Sequence, residues 1–150
     1  MTTVQFETVA NSIAGISITG ITLKTPDAIP LNGLTECPYF APRPDDFITE
    51  IALTRESYGT GGSEKMNLAY TMNWQYFHAP ITQIMNFQTY GDILVNIATI
   101  LQKIADNDAP SGAVDIQVKD ITRIGPLADV AGNSFHGANI AIRVLEFING

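Results

Sequence analysis

The sequence predicts an α+β domain, a mainly antiparallel sheet of about five strands with two helices packed on one face and long protruding hairpins, within one domain spanning residues 1–150. Three observations lead there. Every second residue from 66 to 78 is large and apolar or aromatic, Met66, Leu68, Tyr70, Met72, Trp74 and Tyr76 with His78 closing the series, and between them stand Asn67, Ala69, Thr71, Asn73 and Gln75, the period of a half-buried strand. Tyr90, Ile93, Leu94, Ile97, Ile100, Leu101 and Ile104 mark an amphipathic helix. The order α, β, long loop, ββ, α, ββ lacks the regular βα alternation of a doubly wound parallel sheet.

Along the chain, Phe6, Val9, Ala10 and Ile13 fall at helical spacing, and Thr2 with Gln5 can form a capping box that satisfies two orphan amides. Gly15 ends this first helix. Ile16, Ile18, Ile21 and Leu23 then read as strand one, with a bulge expected at Gly20 to keep both halves on one face. Pro26, Pro30, Pro38, Pro42 and Pro44 deny ladder donors, so residues 26–44 read as a long surface loop whose Leu31, Leu34, Tyr39 and Phe40 offer docking contacts.

Strand two covers 47–58, with Phe47, Ile51 and Leu53 on one side and Glu50, Thr54 and Glu56 on the other. The turn 59–64 links it to the long alternating strand as a hairpin that Pro80 ends. At ~3.4 Å per residue that strand approaches ~40 Å, the diameter expected of a compact domain of this length. Its ends therefore reach past what two helices can cover, and another subunit is the natural cover for apolar residues there.

A Thr89–Asp92 box is expected to start the second helix, which stops before Pro110 and turns Asp92, Asn96, Gln102, Lys103 and Asp106 to solvent. Val114, Ile116 and Val118 open a strand that runs irregularly through Ile121, Ile124 and Val130, bent at Gly125-Pro126. After the turn at 132–134, Ile140, Ile142 and Val144 close the sheet as a second long hairpin.

Charged residues make up only 15% of the chain, with Asn, Gln, Thr and Ser in their place. Ions cost more to desolvate than amides or hydroxyls, so a charge-poor surface favours contact with protein. The balance is acidic, 15 Asp and Glu against 8 Lys and Arg for a formal charge of −7, and the cations are scattered singly, which disfavours nucleic-acid binding. No run approaches the ~18–20 apolar residues of a bilayer span. Residues 1–5 lack a cationic leader, so no membrane role and a cytosolic site of synthesis are expected. The single Cys37 cannot form an internal disulfide, and with no basic neighbour it reads as a small loop or buried thiol.

No constellation announces catalysis. Gly59-Thr60-Gly61-Gly62 lacks the Lys-Ser/Thr and following helix of a phosphate loop. His78 and His136 have no metal-ligand spacing and read as turn or interface residues. Ser134, His136 and Asp129 could be written as a hydrolase triad, but the hairpin offers no strained nucleophile turn. Asp106-Asn107-Asp108 lacks the glycine and distant Glu of a calcium loop. Asp45-Asp46 reads as a loop-to-strand turn whose carboxylates could meet an Arg on a neighbour. No catalytic, cofactor or metal residue is assigned and no enzyme is expected.

The stretch Pro38-Tyr39-Phe40-Ala41-Pro42-Arg43-Pro44, the alternating strand 66–77, the helix 90–105, and the ending Gly125-Pro126-Leu127-Ala128-Asp129 through Phe135-His136-Gly137-Ala138 into 140–147 together resemble the small tail terminator and tail-completion proteins of long-tailed bacteriophages. The likeness is one of topology and texture over nearly the whole chain. It implies a non-enzymatic virion protein of the tail or neck, assembled in the host cytoplasm. Such a protein forms a homo-oligomeric, commonly hexameric, ring between the tail tube protein and the head connector or neck protein. DNA would pass through its acidic lumen without specific binding. The residues expected at partner interfaces are Tyr39, Phe40, Arg43, Asp45, Asp46, Phe77, His78, Phe135, His136 and Arg143. Other tail subunits, of tube or baseplate, share this assembly physics. A small α+β ligand-binding module or enzyme would instead need a closed pocket lined by Tyr39, Tyr76 and His78.

Overall fold

In the computed structural model, which describes residues 6–23, 37–43, 46–56, 65–82, 86–106, 114–121, 124–129 and 131–149, the elements run α1 (Phe6–Ala14), β1 (Thr22–Leu23), β2 (Tyr39–Pro42), β3 (Ile48–Glu56), β4 (Lys65–Pro80), α2 (Phe87–Asp106), β5 (Val114–Ile121), β6 (Gly125–Ala128) and β7 (Ser134–Asn149). Two helices and one mixed sheet of seven strands make the chain α+β.

β4 and β7, of 16 residues each, pair antiparallel along their whole lengths. At ~3.4 Å per residue each reaches ~50 Å. On the far side of β4, β2 pairs with residues 74–77 and β3 with residues 65–72. On the far side of β7, β6 pairs with residues 134–137 and β5 with residues 140–146. The sheet therefore has two ends, one built with β2 and β6, the other with β3 and β5.

The long alternation places Tyr70, Met72, Trp74 and Tyr76 on one face beside Ala138, Ile140, Ile142 and Val144 of β7. These share one buried cluster with Phe40, with Val9, Ala10 and Ile13 of α1, and with Ile93, Ile97, Ile100 and Ile104 of α2. Trp74 is its centre: Phe40 stacks on it at 5.0 Å between ring centroids, and Phe47 meets it edge-on at 5.4 Å. A second cluster of Tyr39, Ala41, Phe77 and Phe135, edged by Leu127, lies on the opposite face at the β2/β6 end. Gly137 is obligatory there, because a Cβ on it would stand 2.0 Å from the Tyr76 carbonyl oxygen.

Several expectations change. Ile16 and Ile18 do not enter the first strand: Ile18 and Ile21 bridge across a tight turn at Gly20, φ 84°, so only Thr22 and Leu23 join the sheet, parallel to β2. Gly20 is a turn, not a bulge. The proline segment contains a buried strand, β2, because Pro42 lies beyond the two residues that pair with β1 and needs no donor on that side. In β3 the register shifts between Thr49 and Ala52, and Glu50 has φ 52°. Ile48 and Leu53, opposite Met72 and Leu68, thus lie on the face of Trp74, where Phe47 meets that ring and Ile51 lines a cleft with Leu68 and Tyr70, so Phe47, Ile51 and Leu53 share a side as expected and the bulge adds Ile48 to it.

α2 begins earlier than expected. Asn86 is its cap, its Oδ1 accepting from the Thr89 amide at 2.8 Å, in place of the Thr89–Asp92 box. Ile93, Ile97, Ile100 and Ile104 form the buried stripe, whereas Tyr90 and Leu94 face solvent and Asn96 turns inward. The Thr2–Gln5 box, most of the proline segment, Asp45, the turn 59–64, Asp108 and Pro110 lie outside the described residues.

Candidate functional site

Two faces and one end of the sheet gather the functional candidates. At the β2/β6 end, Asn96 of α2 donates to the Tyr76 hydroxyl at 2.7 Å, and that hydroxyl lies 2.8 Å from His78 Nδ1. Burial pushes the Tyr76 hydroxyl up to about 12, so it keeps its proton. Burial and the charge of His136 hold His78 below its ordinary 6.5, against the opposing pull of Asp92. With Tyr76 donating, Nδ1 of the neutral imidazole is the acceptor and Nε2 carries the hydrogen. The chain ties α2 to β4 and is a structural clasp.

The face opposite Tyr70, Met72 and Trp74, at the β3/β5 end, is polar. Arg143 Nη1 donates to the Glu50 carbonyl at 2.6 Å and to Thr71 Oγ1 at 3.0 Å, which holds the left-handed backbone of the bulge. Thr71 Oγ1 donates to Glu50 Oε2 at 2.8 Å, and Lys119 of β5 pairs with the same carboxylate. Hydrogen bonds from Lys119 and Thr71 hold the Glu50 carboxyl below its usual range. Three strand spacings of ~4.8 Å separate β3 from β5, so this ion pair requires the sheet to curl toward its polar face. The hollow it spans, about 350 Å³, is lined by Thr49, Glu50, Thr71, Asn73, Lys119, Asp120 and Ala141.

Both α2 and β3 carry uncovered apolar surface. Phe87, Leu94 and Val95 of α2 are 96%, 57% and 64% exposed, and Tyr90 of the same helix is also exposed. Ile51 and Leu53 of β3 are 66% and 61% exposed. Phe6, Ile48, Ile51, Leu68 and Tyr70 enclose an open apolar cleft of about 210 Å³ between α1, β3 and β4. Beside it Glu146, a carboxylate on the core face with 1% exposure, accepts a 2.5 Å hydrogen bond from Tyr70. Burial and that carboxylate raise the Tyr70 hydroxyl far above its ordinary value.

Of the expected interface residues, Tyr39, Phe40, Phe77 and Phe135 are buried in this chain's own two clusters, leaving little for a partner to touch. Arg43 pairs with Asp46 of its own chain at 2.8 Å, so Asp46 meets an internal arginine. Arg143 braces the β3 bulge. His78 closes the clasp, and His136 sits beside it, opposite Ala79 and Pro126. The pocket of Tyr39, Tyr76 and His78 does not form, because Tyr39 and Tyr76 lie on opposite faces of the sheet. Asp129 Oδ1 accepts from the amides of Ala131 and Asn133, which shapes the turn into β7. Burial and Asp129 raise the Cys37 pKa, keeping it a thiol.

Sequence reading missed Phe87, Val95, Ile51 and Leu53 as surface. The signal for α2 was present: Phe87, Gly91, Leu94, Val95 and Ala98 form a second apolar stripe at helical spacing.

Among the described residues no group of three or more His, Cys, Asp and Glu could hold a metal ion, and no helix is long and apolar enough to cross a membrane. In comparisons with known proteins, the chain matches no family model and no curated protein.

Proposed function

We propose that the chain is a self-assembling structural subunit of the phage tail-terminator or tail-completion kind, a homo-oligomeric ring that ends the tail tube and joins it to the head connector. The observation that carries this reading is uncovered apolar surface on both helix-side flanks of the sheet: Phe87, Leu94 and Val95 on α2, and Ile51 and Leu53 on β3. A monomer gains nothing by holding five large apolar side chains in water, and contiguous exposed apolar surface marks docking sites. The β4–β7 pair, ~50 Å long, suits a wall element with two helices on one face and hairpins reaching beyond the body. On the opposite, polar face the cations Lys119 and Arg143 are both engaged by Glu50, which leaves DNA phosphates little to gain from that surface.

Size-exclusion chromatography with light scattering, followed by negative-stain electron microscopy, tests the reading. Closed rings of one diameter support it, and more so if tail tube protein co-purifies. Extended tubes would assign the chain to the tube instead. A monomer at all concentrations, with tube protein present, overturns it.

A further inference from the structure

We infer that copies of this chain join head to tail, with the α2 ridge of one copy, led by Phe87, seated in the α1–β3–β4 cleft of the next. This rests on the self-assembly reading above and names its contact. Ridge and cleft belong to opposite flanks of one sheet. In the order β3–β4–β7–β5 the cleft lies at the β3 side, while α2 runs closest to β5. One contact between unlike flanks covers both surfaces and leaves each copy with one free ridge and one free cleft. Repetition then closes a ring or runs as a filament.

Shape and size agree. Phe87 stands almost wholly in water on the first turn of a helix fixed by the Asn86 cap, so its ring is a presented knob. The cleft of about 210 Å³ is walled by apolar side chains, and an apolar cavity of ~150 Å³ suffices to hold benzene. Taking ~200 Å² for a whole aromatic side chain, the α2 flank with Val118 and Ile121 of β5 exposes on the order of 500 Å² of apolar surface, and the cleft rim about 300 Å². At an interface roughly 57% apolar, that corresponds to a contact of about 1,400 Å², the size class of specific stable complexes. Strand-to-strand joining is the poorer route, because both outer strands of this end are blunted. β3 carries the Glu50 bulge, and β5 carries a register shift at Lys119.

The test uses two full-length variants, Phe87→Asp on the ridge and Ile51→Asp on the cleft, with Leu94→Asn and Leu53→Asn as milder replacements should either fail to fold by circular dichroism. Each alone is expected to lose self-association at least tenfold, as truncation of a central anchor does. An equimolar mixture is expected to give a 1:1 heterodimer by native mass spectrometry, since the ridge variant keeps its cleft and the cleft variant its ridge. Wild type that assembles while the mixture stays monomeric overturns the head-to-tail contact and leaves self-assembly standing. Variants that assemble like wild type do the same. Wild type that never assembles, with tube protein present, overturns both.

Discussion

The two ends of the sheet share β4 and β7 yet are built on different terms. At the β2/β6 end both faces are apolar, Phe40, Trp74 and Tyr76 on one and Tyr39, Phe77 and Phe135 on the other, and this chain covers all six. At the β3/β5 end one face is a carpet of Thr49, Thr71 and Asn73 braced by Arg143, and the other runs from Tyr70 and Met72 out to a half-open rim at Ile51 and Leu53. The first end is finished within the subunit. The second leaves apolar surface in water at Ile51 and Leu53.

The contrast can be broken at the joint between the ends. Trp74→Ala removes the ring on which Phe40 and Phe47 pack, and is expected to cost about 4 kcal/mol, read as a lower urea midpoint. At the closed end, Gly137→Ala forces a Cβ against the Tyr76 carbonyl and must push β4 from β7. A loss of about 3 kcal/mol is expected for such backbone overpacking. At the open end, Tyr70→Phe deletes the hydroxyl that donates to buried Glu146, expected to cost about 1–2 kcal/mol in the same assay.

The His78 clasp gives a signed pH dependence. Its folded-state pKa is held below the ordinary 6.5, so the native state binds this proton less readily than the unfolded chain. Its contribution is complete above 6.5, and stability falls as the pH drops from there toward the depressed folded value. Urea midpoints between pH 7.5 and 5.5 should decline for wild type and flatten for His78→Gln. An unchanged slope would remove His78 as the cause. The smallest effect belongs to the open rim, where Leu53→Asn should change subunit stability by no more than ~0.5 kcal/mol, because most of the side chain is already in water.

Legibility followed the strength of the periodicity. The alternation from Met66 to Tyr76 specified its strand and its buried face, since a strand must send alternate residues to opposite sides. α2 was legible as a helix but not in its orientation. With apolar residues around more than half its circumference, only docking decided that Ile93, Ile97 and Ile100 go in and Leu94 and Val95 stay out. β2 was invisible because prolines signal loops locally, while its place between β1 and β4 is set by partners far along the chain. Of the interface residues expected from sequence, the fold took Tyr39, Phe77 and Phe135 for its second core and Phe40 for its first.

What this sequence determined by itself is its α+β class, the long half-buried strand, the two amphipathic helices and a charge-poor, acidic surface. These follow from local period and composition, which need no knowledge of neighbours. Tertiary structure alone decided the seven-stranded order, the Glu50 bulge clamped by Arg143, the Asn96–Tyr76–His78 clasp and the division between covered and uncovered apolar surface. Each of those depends on which distant segment arrives opposite, and pairing across the sheet settles that through contacts no local pattern encodes.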